Sequence, residues 1–226
     1  MIDLFRFHLS PRGISGLIPA SQTIRVAEAF RSALLASLPT SKIAEALAGH
    51  GYLAKDHAHA HFLPIDRDAD GLIDALDVWL PLGCDGKTEE VLLKTRVVYD
   101  GAALKGGLLA EPVGSITAPR ATHWETATPL VLDRFPKLRG TGEKHIVDSP
   151  EEQIAKAIAR RNLHAKEICV KALSRRELNY VRARNDRGRP LPAFHASVAF
   201  DQAIEGPLVL GSLAHFGLGR FDPIRP

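Results

Sequence analysis

The order of helix and strand signals predicts an α+β protein: two ferredoxin-like (RRM-like) βαββαβ modules in tandem, residues 1–120 and 121–226, the second carrying a C-terminal glycine-rich loop. Three observations predict it. Stretches with apolar residues at three- and four-residue spacing alternate with short apolar runs of strand length. The strand-helix-strand-strand order of the first half recurs in the second. Each half holds roughly 100 residues, a usual size for a small domain. With 45% of its 226 residues hydrophobic, the chain has the material for a core in each half. A single mixed α+β domain is the alternative, and it differs mainly in how the central loop packs.

The elements follow in order. Residues 2–9 are apolar with partial alternation and fit a first strand, which Pro11, Gly13, Gly16 and Pro19 break. From Ser21, apolar side chains at Ile24, Ala27, Phe30, Leu34 and Leu38 mark an amphipathic helix ending before Pro39, with a shorter helical patch at 43–47. The histidine ladder Asp56-His57-Ala58-His59-Ala60-His61 runs into Phe62-Leu63-Pro64 as the next strand, and 76–82 form another, joined through 66–74 as a β-hairpin. Residues 88–93 open a helix, and 113–116 form a strand before a loop rich in Thr and Pro.

The second half starts with a strand at 128–135 and a polar loop to Val147. Ser149-Pro150-Glu151-Glu152 is a strong helix start, with Ser149 as N-cap, Pro150 at the first helical position and Glu152 closing a capping box. That helix runs to about Leu163. Residues 165–173 and 193–200 read as strands flanking an arginine-rich loop, and 208–210 lead into the glycine-rich loop.

The sequence opens Met1-Ile2-Asp3 without a signal-peptide pattern, and no apolar run is long enough to span a bilayer, so a soluble cytoplasmic protein without membrane partners is expected. Cys84 and Cys169 are far apart and lack paired spacing, which excludes a disulfide framework or zinc ribbon; both are expected to be buried thiols. The net charge of +3 conceals an asymmetry. Residues 56–90 hold two basic and nine acidic side chains, whereas 156–189 hold eleven basic and three acidic ones. The basic run includes Arg160, Arg161, Lys166, Lys171, Arg175, Arg176, Arg182, Arg184, Arg187 and Arg189. It points either to several phosphate contacts on a nucleic acid or to a solvated helix and flexible loop.

Two constellations carry the chemistry. As a strand, the ladder would put His57, His59 and His61 on one face, neighbours about 7 Å apart and the outer pair about 13 Å apart, so one or two histidines act and the rest pack or support. In the loop Gly211-Ser212-Leu213-Ala214-His215-Phe216-Gly217-Leu218-Gly219-Arg220, glycines let the backbone press close to a sugar-phosphate chain. His57 or His59 beside that loop fits metal-free phosphate chemistry: a base for a ribose hydroxyl, an acid for the leaving oxygen, and donors for the phosphorane. His215 either orients RNA or hydrogen-bonds within its own turn. A zinc site would draw on His57 and His59 with His50, His123 or His195, but no local spacing completes it. Asp66, Asp68, Asp70, Gly71, Asp74 and Asp77 match much of an EF-hand loop, with aspartate where the bidentate glutamate belongs; a polar hairpin turn is the other reading. Trp79 and Trp124 read as core residues ahead of base-stacking platforms. No cofactor is called for.

Three segments together resemble a known family: His57-x-His59-x-His61-Phe62-Leu63-Pro64, the 66–74 turn followed by Val78-Trp79, and Gly206-Pro207-Leu208 with His215-Phe216-Gly217-Leu218-Gly219. Over nearly the whole chain the sequence is similar to the processing endoribonuclease portion of the fused subunit of type I-G (formerly I-U) CRISPR systems, in the repeat-associated mysterious protein superfamily. That resemblance implies tandem ferredoxin-like folds, a C-terminal glycine-rich loop and metal-independent cleavage of precursor CRISPR RNA within its repeats. The expected function is therefore an RNA endonuclease forming 2′,3′-cyclic phosphate ends. Its expected catalytic residues are His57 and His59. Its expected RNA contacts are Arg175, Arg176, Arg182, Arg184, Arg187, Arg189, Gly211, Ser212, His215, Gly217, Gly219 and Arg220. Repeat RNA is the expected partner, alongside other type I effector subunits. The alternative is a non-catalytic subunit that holds repeat RNA in an effector complex.

Overall fold

A computed structural model of the chain describes residues 3–12, 16, 18–36, 47, 59–98, 107–140, 145–174 and 192–224. The chain divides into two units: unit 1 is Met1–Ala118 with His215–Gly217, and unit 2 is Pro119–Ala214 with Leu218–Pro226. The fold is mixed, with many strands and few helices, and no described helix is long and apolar enough to cross a membrane.

Unit 1 contains β1 (Asp3–Pro11), β2 (Ile18–Pro19), α1 (Thr23–Ala36), β3 (His61–Ile65), β4 (Leu72–Ile73), β5 (Ala75–Leu80), α2 (Gly86–Lys94), β6 (Val97–Val98) and β7 (Leu108–Ser115). Its main sheet runs β3-β5-β1-β7-β6, with every neighbouring pair antiparallel. Pleating assigns the faces. Phe5 and Phe62 both oppose Val78, and Phe7 opposes Leu76, so these side chains share one face. Phe30 of α1 lies on that face, 4.8 Å from Phe7 and 6.1 Å from Phe62 between ring centroids. Ile24, Ala27, Phe30 and Leu34 are all buried at the helical spacing the sequence shows. Burying a phenylalanine contributes about 2–3 kcal/mol, which is why this stripe fixes the docking side of α1. The opposite face carries Leu4, Arg6, His61, Leu63, Asp77 and Trp79. There Arg6 and Asp77 stand in register, joined by two hydrogen bonds of 2.7 Å.

Unit 2 contains β8 (Arg120–Thr126), β9 (Leu130–Val131), β10 (Lys137–Arg139), β11 (His145–Val147), α3 (Pro150–Ala159), β12 (Glu167–Ala172), β13 (Ala193–Glu205), β14 (Leu208–Val209) and β15 (Arg220–Pro223). The sheet runs β12-β13-β8-β15-β14, with β9 also on β13. Its core gathers Trp124, Leu130, Leu132, Ile154, Ile158, Val198, Leu210 and Phe221. The start of α3 is the expected one: Ser149 accepts from the Glu152 backbone N–H while the Glu152 side chain accepts from that of Ser149, and Pro150 opens the helix.

The structure corrects several sequence expectations. Residues 120–126, read as loop, form the strand β8, and of 128–135 only Leu130–Val131 is strand. Between β13 and β15 the described residues hold no α-helix. The short strand β14 and a 3₁₀ turn at Ala214–Phe216 stand there instead, so the second βαββαβ pattern lacks its second helix. Glycines at 206, 211, 217 and 219 with Pro207 explain why, since both residue types disfavour helix interiors. Cys169 is exposed and Cys84 half-exposed, not buried. Trp124 is fully buried, as expected of a core residue, and donates Nε1–H to the Ala121 carbonyl at 3.0 Å. The helical patch at 43–47 lies outside the described residues except for Leu47.

Candidate functional site

Of the histidine ladder, the described residues place only His61 in a strand. β3 begins only at His61, and His59 sits in the bend before it. The two imidazoles stack, with centroids 5.7 Å apart and planes 16° apart. His61 opposes Trp79 in register, and their rings lie 4.6 Å apart. Both histidines are buried, His59 8% and His61 3% exposed. His59 Nδ1 lies 3.1 Å from the Ala60 carbonyl oxygen, and His61 Nδ1 lies 3.1 Å from that of His59. A carbonyl oxygen only accepts, so each Nδ1 carries the proton, and in the neutral ring Nε2 holds the lone pair.

The third imidazole comes from the far end of the chain. His215 meets His59 edge to face, with centroids 5.2 Å apart and planes 83° apart. The Phe216 ring lies 4.1 Å from that of His215, and His215 is half-buried. Gly217 fixes this segment in unit 1. Its φ is +84°, and a Cβ there would stand 2.9 Å from Pro64 Cδ, 2.9 Å from Thr23 Cγ2 and 3.3 Å from the Phe62 carbonyl oxygen. Only glycine lets the backbone approach β3 and the start of α1 so closely in that conformation. Unit 1 therefore brings His59, His61, His215 and Trp79 into one cluster, in which two imidazoles are near enough to share a reacting group as acid and base.

Among solved structures, the chain aligns over 100% of its length with 100% of one described as "CRISPR associated protein Cas6", at a TM-score of 0.54 and 10% identity. It aligns over 99% of its length with 100% of "An RAMP protein binding different RNA substrates", at a TM-score of 0.50 and 14% identity. The chain has their fold. No protein-family model and no curated protein matches it.

On this Cas6-type fold the remaining expected site residues fall in different places. His57, Arg175, Arg176, Arg182, Arg184, Arg187 and Arg189 lie outside the described residues, as does His50. Gly211 and Gly219 serve the fold: a Cβ would stand 2.3 Å from the Val131 carbonyl oxygen at Gly211 and 2.0 Å from that of Leu210 at Gly219, both at positive φ. The Ser212 N–H donates to the Val131 carbonyl and the Gly219 N–H to that of Pro129, each at 2.8 Å, so these donors are engaged within unit 2. Arg220 is 8% exposed, and its guanidinium reaches Asp222 at 2.9 Å.

Elsewhere in the basic run, Lys156 pairs with Asp148 at 3.1 Å and Lys166 with Asp201 at 3.6 Å. The Arg161 guanidinium donates to the Val209 carbonyl, and burial pushes its pKa down to about 10.

His123 lies beside the Thr122 hydroxyl at 2.9 Å and His195 beside that of Thr126 at 3.0 Å, both on strands of unit 2. Among the described residues, the trio that gathers ligand atoms is Asp66, Asp68 and Asp70, within 4.8 Å of one another. Their carboxylates accept the backbone N–H groups of Asp70, Gly71 and Leu72. Asp74 is held by Arg67 at 2.7 Å, and Asp77 sits in β5 against Arg6. The ninth and twelfth positions of the EF-hand pattern thus face arginines.

Sequence reading did not anticipate the His59–His215 pair. The two are 156 positions apart, and the one available signal was glycine flanking a histidine.

Proposed function

We propose that the chain is a metal-independent endoribonuclease that cuts CRISPR precursor RNA within its repeats and leaves 2′,3′-cyclic phosphate ends. The observation that carries this reading is the His59–His215 pair, 5.2 Å between ring centroids. Likeness in fold to one protein described as CRISPR-associated and another described as binding RNA supports the substrate class. The β-α-β-β-α-β order of unit 1 favours the ferredoxin-like reading of that module. The processing part of the type I-G fused subunit remains the proposed family position, and the cytoplasm the proposed location.

In the proposed reaction His59 Nε2 takes the proton of the 2′-hydroxyl beside the scissile phosphate. The 2′-oxygen forms a bond to phosphorus, and the bond from phosphorus to the 5′-oxygen breaks. The departing 5′-oxygen takes a proton from the His215 imidazolium. The products are a 2′,3′-cyclic phosphate and a 5′-hydroxyl end, and proton exchange with water resets the pair. His61 is a positioning residue: its Nδ1–H holds the His59 carbonyl and its ring stacks on that of His59. His57 and the run Arg175, Arg176, Arg182, Arg184, Arg187 and Arg189 are proposed to support the reaction and hold the repeat by charge.

The test is single-turnover cleavage of labelled repeat RNA in EDTA by wild type, His59→Ala and His215→Ala. Each substitution should slow cleavage by on the order of a hundredfold or more while RNA binding stays nearly intact. Wild-type rates in both variants would remove the pair from the mechanism. Binding without any cleavage by wild type would favour the non-catalytic repeat-holding subunit.

A further inference from the structure

The ring cluster of unit 1 meets the sheet at a cross-strand pair. His61 of β3 and Trp79 of β5 stand directly opposite each other, so their side chains share a face with Cβ atoms about 4.5–5.5 Å apart. Their rings lie 4.6 Å apart between centroids, with planes 42° apart. From His61 the ring contacts continue to His59 at 5.7 Å, and from His59 to His215 at 5.2 Å. His59 precedes β3, so strand register does not set its side chain. A histidine χ2 is a broad rotor without sharp staggered wells, and neighbouring groups decide which ring edge faces a reacting atom. His61 supplies two such neighbours to His59: a ring stacked on its own, and an Nδ1–H that holds its carbonyl oxygen at 3.1 Å. His61 in turn is oriented by that hydrogen bond and by the indole opposite. Trp79 is 8% exposed, too covered to offer a face to an RNA base, so its influence on the site passes through His61.

We propose that Trp79 is a positioning residue for the cleavage reaction: its indole plane sets the His61 ring, which sets the His59 ring and so the approach of His59 to His215. This role rests on the nuclease reading above and adds a residue to its site. Core packing alone would accept any apolar side chain on this face, where Leu4, the other cross-strand neighbour of Trp79, and Leu63 are also buried. A flat ring at this register does more, because aromatic pairs hold preferred tilts and offsets that a branched aliphatic chain cannot impose. The two roles therefore part at Trp79→Leu, which keeps apolar bulk and loses the plane, and Trp79→Phe, which keeps a ring in register.

The test uses the full chain with isotope-labelled histidine, its ring signals in NMR spectra assigned by single substitutions, alongside single-turnover cleavage of labelled repeat RNA in EDTA. In Trp79→Leu the ring signals of His61, His59 and His215 should all move while those of His123 and His195 in unit 2 stay, and Trp79→Phe should return them toward wild type. Misplacing a reacting group by about 1 Å costs on the order of a hundredfold in rate, and a displacement relayed through a ring is smaller. Cleavage at saturating RNA should thus fall roughly tenfold in Trp79→Leu with the half-saturating RNA concentration unchanged, and Trp79→Phe should recover most of the loss. Trp79→Met, whose flexible chain fills irregular gaps, takes the place of Trp79→Leu if that variant does not fold. Movement confined to the His61 signal, wild-type cleavage by Trp79→Leu, or an equal loss in Trp79→Phe and Trp79→Leu would overturn the proposal and leave the His59–His215 pair as the reacting groups. If wild type does not cleave, the nuclease reading falls and this role with it, even where the histidine signals move together.

Discussion

Replacing Gly217 with alanine tests whether the C-terminal turn is what delivers His215. The residue has φ +84°, and the new methyl would meet Pro64 Cδ and Thr23 Cγ2 at 2.9 Å. An L-residue in the left-handed region costs about 1–2 kcal/mol. Carbon contacts settle near 3.5–4.0 Å, so two contacts this short add overpacking of about 1–3 kcal/mol. The turn relieves that strain by moving away from β3 and carries His215 with it. Misplacing a catalytic group by about 1 Å costs on the order of a hundredfold in rate. Single-turnover RNA cleavage should therefore fall by about two orders of magnitude in Gly217→Ala. Gly71→Ala is the control: its φ is +90° but nothing lies within 4 Å of the added methyl, so it carries the conformational cost alone and should cleave like wild type. Wild-type cleavage by Gly217→Ala, or an equal loss in Gly71→Ala, would refute the reasoning.

The two thiols should differ in reactivity: burial, with the charges of Asp3, Glu89 and Asp85, pushes Cys84 up to about 12, whereas Cys169 is exposed. A thiol-exchange reagent at mildly alkaline pH should label one cysteine quickly, and Cys169→Ser should abolish that phase. At Asp74, burial alone would raise the carboxyl, but hydrogen bonds and charge from Arg67 outweigh it and hold the group below its usual range. The resulting stability is present above the unfolded value of about 3.9 and lost as pH falls through the lower folded value. Asp74→Asn should thus cost up to about 1 kcal/mol near neutrality, with the gap to wild type in thermal unfolding closing as pH drops from about 5 to about 2. A gap that widens on acidification would contradict this.

What the sequence discloses, and what it hides, follows from how far apart the cooperating residues are. The stripe of Ile24, Ala27, Phe30 and Leu34 is a local pattern, as is the Ser149 to Glu152 capping box, and both appear in the structure as read. β8 escaped because Arg120–Thr126 shows one large apolar side chain, Trp124, among polar ones, so strand pairing with β13 and β15 defines it and composition does not. Leu130, Val131 and Leu132 misled in the opposite direction. They are buried, but only two of them sit in a ladder, so an apolar run was read as a longer strand than exists. His59 was visible as a candidate, and its ring does lie beside that of His61, but the chain bends at His59 and the strand starts only at His61.

The missing second helix of unit 2 connects these observations. A helix between β13 and β15 would satisfy its own backbone N–H groups and keep its residues within that unit. The turn in its place satisfies them otherwise, through bonds from Ser212 to Val131 and from Gly219 to Pro129, at two positions where glycine allows backbone approaches that any Cβ would block. The intervening His215–Gly217 belongs to unit 1, where Gly217 seats it and His215 meets His59. Gly211 and Gly219 allow close backbone approaches within unit 2, and Gly217 allows one within unit 1. The glycine richness visible in the sequence thus also has a part in placing a side chain.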